Sequence, residues 1–495
     1  MLHSSSHLVR TAGLALSLAL SLACNKSTPP AVASASDGKI PVTTNSDAAR
    51  KEFLAGQSLS DRLLAHDSLQ HYDSALSLDS SFASAELARA NNSPTTQEFF
   101  AHQQKAVALA DKVSEGERLL ILASQAGSNG DVIKQKDYLE KLVEVYPNDE
   151  RAQFAVANFY FGQQQMEEAA AHYKKATEIA PDFSPAYNVL GYAYRQEGDY
   201  AKAEAAFQKY VQLIPNDPNP YDSYAELLLK MGRFDDSIAQ YRKALSVDPH
   251  FAASHFGVAA DYMYKGQHDQ AIAELQAMAD NARNDGELRT AYFGMAVVNS
   301  DRGHFDQAID AMNKEFAVAE KKNDAANMAA DLQAMGNIYL AAQRYDDAAR
   351  AYDRSLQLVE SSSLSDEIKS NRRLQHEFEL ANLALAKKDL ASAKKHADTY
   401  RQGVESSHGA FRIQQSHELA GRIAFANKDY DTALAELHQA NQQDPSVLYR
   451  ISLVYQARGD HDDARDYAKK AAGFNSLPQL NYAFIRSKAE KAHAS

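Results

Sequence analysis

Few residues of this sequence have the types and spacing that catalysis or metal binding requires. His417 and Glu418, in the stretch HELAG, begin like an H-E-x-x-H zinc helix, but the second histidine is missing. Adjacent carboxylates, which in a glycosidase could act as acid and base, occur at Asp235-Asp236, Asp346-Asp347 and Asp462-Asp463. All three pairs fall at the start of predicted helices, where acidic side chains interact favourably with the helix dipole. We therefore expect them to have a structural role.

Other catalytic motifs are absent from the sequence. There is no G-x-S-x-G nucleophile turn, no Walker A loop and no G-x-G-x-x-G fingerprint. A single cysteine excludes every C-x-x-C site and every disulfide within the chain. The formal charge of −13 is spread along the chain, which argues against a groove for nucleic acid. We expect a protein that is not an enzyme, with no cofactor, no metal and no nucleic-acid partner.

The elements that must position these residues are predicted to be paired helices. The stretch GYAYRQEGDYAKAEAAFQKY, residues 191–210, carries apolar residues at helical spacing on each side of Gly198-Asp199. Gly191 and Ala203 are the small members of the two apolar stripes, so the two helices can approach closely. Gly198 can adopt the left-handed conformation that ends the first helix. The tyrosines and acids of this stretch are therefore predicted to hold a helix pair together.

This helix pair recurs along the chain. Two series are spaced 34 residues apart: Pro147, Pro181, Pro215 and Pro249, and Ala169, Ala203, Ser237 and Ala271. Residues 184–217 resemble the tetratricopeptide repeat consensus through Tyr187, Leu190, Gly191, Tyr194, Ala203, Phe207 and Pro215. Further small residues recur, at less regular spacing, at Ala308, Ala348, Ala393, Ala433 and Ala464. The resemblance therefore extends over most of the chain.

The resemblance implies an all-α fold, a right-handed superhelical solenoid of about twelve tetratricopeptide-like helix pairs with a C-terminal capping helix. The absence of tryptophan and of alternating β-branched runs agrees with this fold. The predicted organisation is a signal peptide (1–23), a flexible tether (24–47), degenerate N-terminal repeats (48–149), regular repeats (150–287), longer irregular repeats (288–478), and a capping helix with a tail (479–495).

The N-terminus has the pattern of an export signal. A weakly basic start precedes the apolar run TAGLALSLALSLA, which is shorter than the roughly twenty residues that span a bilayer. Cys24 directly after this run resembles the lipoprotein class of bacterial signal peptides, in which cleavage leaves the cysteine as a lipid-modified N-terminus. Ser21 departs from that pattern, since leucine is usual there, and Asn25 resembles outer-membrane sorting. The alternative is a soluble product in which Cys24 is one more small residue near the cleavage site.

A partner-binding groove also follows from the resemblance. In this family the second, fifth, ninth and twelfth residues of each repeat face a concave surface. Carried over to this sequence, they include Arg151, Phe154, Asn158, Phe161, Asn188, Tyr192, Arg195, Phe256, Phe293, Asn337, Phe378 and Asn382, with Asn219, Asp222 and Glu226 in the repeat after that of Asn188 and Ala260 and Met263 in the repeat of Phe256. Asparagines can bond a peptide backbone and aromatic rings add apolar contact, so an extended peptide is the expected ligand. Some of these side chains could instead pack between repeats.

The predicted function is that of an exported, lipid-anchored scaffold. It would bind other envelope proteins or extended peptides, contact the membrane through its lipid anchor only, and face the periplasm from the outer membrane of a bacterial cell envelope. Assembly or export across the envelope is the expected setting. Two alternatives stay open: an enzyme acting on envelope glycans with a site assembled from distant repeats, and a sensor whose ligand changes the curvature of the solenoid.

Overall fold

The computed structural model describes residues 38–405 and 410–494, and within them every regular element is helical. Contacts divide the chain into two compact units, Met1–Tyr224 and Ala225–Ser495. The first unit contains α1 (Asp47–Asp61), α2 (Ala65–Leu78), α3 (Ala83–Asn91), α4 (Thr96–Leu109), a short 3₁₀ turn (Ala110–Lys112), α5 (Glu115–Ser128), α6 (Val132–Val145), α7 (Glu150–Gly162), α8 (Met166–Ile179), α9 (Ser184–Glu197) and α10 (Tyr200–Leu213). Helix α11 (Pro218–Lys230) contains the boundary between the units.

The second unit continues the series of helix pairs. Its helices are α12 (Phe234–Val247), α13 (Ala252–Tyr264), α14 (His268–Asp280), α15 (Asp285–Asp301), α16 (Phe305–Lys321), α17 (Ala325–Ala341), α18 (Tyr345–Ser361), α19 (Asp366–Ala386), α20 (Leu390–Glu405), α21 (Ala410–Ala426), α22 (Tyr430–Leu437), α23 (Pro445–Arg458), α24 (His461–Ala472), α25 (Leu480–Ala483) and α26 (Arg486–Ala494). Helices α1–α24 form twelve consecutive pairs, which confirms the predicted all-α solenoid of helix pairs.

Local sequence explains both the turns and the close packing within the pairs. A left-handed residue closes the turn of most pairs, as Gly198 does at φ 82° and Gln343 at φ 60°. A glycine in the first helix faces a large side chain 16 residues later in the second, at Gly56–Tyr72, Gly191–Phe207, Gly336–Tyr352 and Gly421–Leu437. A Cβ on Gly191 would lie 2.7 Å from the Phe207 ring. The longer repeats lengthen their helices, since α15–α18 have 17 residues each.

The predicted end cap is built from two helices. Ala489 of α26 packs on Leu448 and Ala471, which belong to the last pair. The preceding α25 has only four residues, and it contacts α15 and α17 as well as α23. Leu480 and Tyr482 of α25 are large apolar side chains, and both are buried.

Residues 38–46, the last part of the predicted tether, form an extended segment bound to the first unit. The amide of Ile40 donates to Asp149 at 2.8 Å, and the amide of Thr43 donates to Glu117 at 2.9 Å. The Thr44 hydroxyl donates to Asp79 at 2.6 Å. Asp149 and Glu117 lie at the starts of α7 and α5, and Asp79 lies at the end of α2, so one short segment contacts three repeats.

Candidate partner-binding surface

The predicted groove residues of α7 have partners inside the first unit. Arg151 forms a two-pronged ion pair with Asp61, with nitrogen–oxygen distances of 3.1 and 2.6 Å. The Arg151 guanidinium also lies 5.0 Å from the centre of the Phe183 ring. Phe154 packs between Tyr173 and Phe183, with ring centroids 5.6 and 5.4 Å away. These side chains therefore join neighbouring helices of the fold.

Two predicted groove asparagines bind tyrosines of their own helix pairs. The Tyr173 hydroxyl donates to Asn158 Oδ1 at 2.7 Å, and the Tyr352 hydroxyl donates to Asn337 Oδ1 at 2.8 Å. In both cases the tyrosine follows the asparagine by 15 residues. A buried phenol needs a hydrogen-bond partner, so these asparagines stabilise the repeat. Phe161 lies beside the same phenol, with its ring 6.4 Å from that of Tyr173.

The predicted residues of α9 form a different arrangement. Asn188 is 7% exposed, and its Oδ1 atom has no hydrogen-bond partner among the described residues. Tyr192 packs edge-on against Phe207 at 5.1 Å, and the Arg195 guanidinium lies 4.7 Å from the centre of the Tyr192 ring. A buried acceptor without a partner is uncommon in folded proteins and calls for an explanation. Asn188 is thus the predicted groove residue with an unmet bonding capacity.

In the second unit, the predicted groove residues that lie on α13 and α15 belong to a hydrophobic core. Phe256 and Phe293 pack, partly buried, against the cluster that contains Met263, Leu275 and Met295. Ala260 is 1% exposed and Met263 is fully buried. The structure therefore covers this part of the predicted groove.

The groove residues of α19 lie beside arginines that the sequence reasoning missed. Phe378 packs 5.4 Å from the Tyr400 ring, and Asn382 Nδ2 donates to the carbonyl of Phe378 at 2.8 Å. Asn382 Oδ1 accepts a hydrogen bond from Arg422.

A shared carboxylate holds these arginines together. Glu418 lies 2.8 Å from Arg450 and 3.7 Å from Arg422, so two guanidiniums share one carboxylate. Burial and the neighbouring Arg450 lower the pKa of Arg422 to about 9. The recurrence of arginine on successive first helices was the signal for this cluster.

The residues with catalytic spacing have structural contacts. His417 Nδ1 hydrogen-bonds Glu436 across its helix pair at 2.7 Å. Similar pairs, also 19 residues apart, are His71 with Glu52, His255 with Glu274 and His396 with Glu377. Residues 38–405 and 410–494 contain no group of three or more His, Cys, Asp or Glu side chains that could hold a metal ion. The paired aspartates lie in the first turns of α12, α18 and α24.

The described part of the chain contains no helix with the length and apolarity needed to cross a bilayer. Cys24, the predicted lipidation site, and the predicted signal peptide lie outside the described residues. The candidate surface is thus defined by the helix pairs alone.

Comparisons with solved structures identify short helical-repeat proteins. A tetratricopeptide repeat protein from Parabacteroides merdae is 17% identical over 52% of this chain and 97% of its own, with a TM-score of 0.39. The MamA protein is 20% identical over 33% of this chain and 88% of its own, with a TM-score of 0.30. YrrB, a TPR protein with an unusual peptide-binding site, is 18% identical over 37% of this chain and 92% of its own, with a TM-score of 0.28.

Family models give the assignment. Three tetratricopeptide repeat models match residues 160–227 and 228–292, residues 332–364, and residues 418–477. No curated protein matches the chain. The matched ranges fall on helices α7–α15, α17–α18 and α21–α24. The chain is a tetratricopeptide repeat protein.

Proposed function

We propose that this protein is an exported, lipid-anchored scaffold that binds partner proteins or extended peptides along the first helices of its repeats and catalyses no reaction. The tetratricopeptide repeats support the scaffold role, because stacked helix pairs expose long surfaces for contact. The first unit offers the better surface, since its α9 carries the unmet acceptor. The expected partners are other proteins of a bacterial cell envelope.

Asn188 is the observation that carries the binding proposal. Its Oδ1 atom is buried without a hydrogen-bond partner in the described fold, and leaving such an atom unbonded costs about 1–3 kcal/mol. A backbone N–H of an extended ligand would supply the missing donor once the Asn188 side chain turns towards the surface. Tyr192 and Arg195, one and two turns further along α9, would flank that ligand with an aromatic ring and a cation.

Substitution of two asparagines tests the binding proposal. In a pull-down from solubilised cell envelopes, we expect Asn188→Ala to lose the captured partner while the urea midpoint of the protein does not fall, because the unbonded buried oxygen is removed. Asn158→Ala is the matched control. It should keep the partner but lower the free energy of unfolding by about 1 kcal/mol, because the Tyr173 hydroxyl loses its acceptor. Equal recovery of partner by Asn188→Ala and the unmodified protein would contradict this role for α9.

The export and anchoring part of the proposal rests on the N-terminal sequence. An apolar run ends at Cys24, which is the single cysteine of the chain, and residues 25–37, rich in Ser, Thr, Pro and Ala, separate it from the bound residues 38–46. Such a segment would let the repeats extend from a membrane surface into the periplasm. A lipid at Cys24 would make the outer membrane the site of attachment.

Metabolic labelling tests the anchor. Cells that express the full chain are grown with radioactive palmitate, and the unmodified protein is compared with Cys24→Ala. We expect label in the unmodified protein only, and release of the variant into the soluble periplasmic fraction. Equal incorporation of label into both proteins would rule out lipidation at Cys24.

A further inference from the structure

The C-terminal residues 474–486, here called the tail segment, lie against the first helices of the second unit. The Phe474 ring lies 3.9 Å below Lys230 Nζ. The Tyr264 hydroxyl donates to the carbonyl of Ser476 at 2.5 Å and accepts from the Ser476 amide at 3.3 Å. Leu477 packs on the cluster that includes Val258. The tail segment therefore contacts α11 and α13 directly.

The central part of the tail segment fills an apolar face. Leu480 and Ala483 are 7% and 3% exposed, and they belong to the same cluster as Met263 and Met295. Tyr482 is 2% exposed, and its ring centroid lies 6.0 Å from that of Tyr264. Met263 is a predicted groove position and belongs to the same cluster as Leu480 and Ala483, so the tail segment packs where a ligand was expected.

An ion pair fixes the end of the tail segment. Arg486 Nε donates to Asp301 Oδ1 at 2.7 Å, and the Nη2 atom of Arg486 donates to Asp301 Oδ2 at 2.6 Å. Both residues are less than 9% exposed. Burial alone would raise the pKa of Asp301, but the hydrogen bonds from Arg486 and His268 outweigh it and lower that pKa. Asp301 is therefore a charged acceptor suited to a cationic side chain.

Two features distinguish the tail segment from the repeats that it contacts. Residues 474–479 are non-helical, and α25 is a single four-residue turn. The tail segment is therefore bound to the face by side-chain contacts, including those of the Tyr264 hydroxyl. Asp301 also accepts from His268 Nε2 at 2.8 Å, and so it retains a partner if Arg486 leaves. Arg486 is also the first residue of α26, and Phe474 and Ile485 of the tail segment pack with Ala489 of α26 against the last helix pair.

We propose that the face formed by Tyr264, Met263 and Asp301 is a binding site for a segment with a tyrosine and, about one helical turn later, an arginine. In the free protein the tail segment occupies this face through Tyr482 and Arg486, and a partner segment with the same two side chains displaces it. The contact lies wholly within the second unit, so it is independent of any ligand bound by Asn188.

A labelled peptide with the sequence of residues 474–487 tests this site against full-length proteins. Arg486→Ala weakens the hold of the resident tail segment while the receiving Asp301 stays intact. We therefore expect this variant to bind the peptide at least about tenfold more tightly than the unmodified protein does. Lys488→Ala removes an exposed charge two residues further on and should bind like the unmodified protein. A peptide with alanine in place of its arginine should not bind to Arg486→Ala.

Two results would overturn the proposal. One is equal peptide affinity of Arg486→Ala and the unmodified protein, with both folded by circular dichroism. The other needs no variant: hydrogen exchange of the unmodified protein should show the amides of residues 476–486 opening at least about tenfold faster than those of α15. Exchange of both segments at one common rate would mean that the tail segment is a permanent part of the core.

Discussion

At the scale of single residues, two of the buried aspartates of the second unit are in opposite situations. Asp301 is paired with Arg486 and His268, whereas neither carboxyl oxygen of Asp261 has a hydrogen-bond partner in the described fold. The nearby Ser237 hydroxyl donates to the carbonyl of Ala225 instead, at 2.9 Å. Burial raises the pKa of Asp261 from 3.8 to about 8. Asp261 is therefore mostly protonated at neutral pH.

This raised pKa predicts a specific pH dependence of stability. Because the folded-state pKa lies above the unfolded value, the protonated form stabilises the fold fully below about pH 4, and this contribution is lost as pH rises through about 8. We expect Asp261→Asn to match the unmodified protein in urea unfolding at pH 3.5. At pH 8 the variant should be more stable by about 5 kcal/mol, since stability falls by about 1.4 kcal/mol for each of the roughly four pH units between the two pKa values.

The control for this prediction is Asp310→Asn, which changes an exposed carboxylate of the same unit. This control should have the stability of the unmodified protein at both pH values. An Asp261→Asn variant that is no more stable than the unmodified protein at pH 8 would show that Asp261 ionises without cost in the fold.

At the scale of the helix pair, a glycine opposite a large side chain sets the distance between helices. Within a single pair, the closest such approach is at Gly336 in α17, where an added Cβ would lie 2.3 Å from Cε1 of Tyr352 in α18. Tyr352 is fully buried and its hydroxyl is bonded to Asn337. The ring therefore cannot move aside without breaking that hydrogen bond.

Gly336→Ala should destabilise the protein by about 1–3 kcal/mol, because the added methyl overpacks the pair. The matched control is Gly162→Ala at the end of α7, where an added Cβ meets no atom within 4 Å. That substitution should leave the urea midpoint equal or slightly raised, since alanine favours a helix more than glycine does. If both variants had the same midpoint, the glycine would not determine the spacing of the pair.

At the scale of the whole molecule, both ends of the described chain bind to repeats that are distant in sequence. At the N-terminal end, Glu117 accepts from the Thr43 amide and hydroxyl at 2.9 and 2.5 Å and from the Ser84 hydroxyl at 2.6 Å. Ser114 donates to the same carboxylate through its amide at 3.1 Å. One buried side chain therefore joins residues 38–46 to the second and third helix pairs.

Glu117→Ala should release residues 38–46 from the first unit. Because several buried donors lose their acceptor, we expect the free energy of unfolding to fall by about 2–4 kcal/mol. The amides of residues 40–46 should exchange hydrogen markedly faster, as measured by mass spectrometry. Glu115→Ala, an exposed change in the same helical turn, should leave that exchange unchanged; similar exchange in both variants would contradict the role of Glu117.

The repeated architecture could be predicted from the sequence because its determinants are local and periodic. Three determinants act within about one helix pair: the apolar spacing, the left-handed turn at Gly198 and the small residue Gly191 that faces Phe207. The sequence of each repeat therefore specifies its own helix pair. The twelve pairs and the repeat family follow from these features. The sequence did not predict which polar groove residues form hydrogen bonds within the fold. Asn158 is an example, because its bond to Tyr173 depends on how two helices face each other.

The sequence by itself determined the all-α repeat fold, because helix pairing depends on residues a few turns apart. Only the tertiary structure decided what covers the surfaces of those repeats. Arg486 and Asp301 are separated by 185 residues, and Thr43 and Glu117 by 74. No periodic pattern connects such residues, since their meeting depends on the path of all the intervening repeats. The contacts of the two chain ends could therefore not be predicted from sequence patterns.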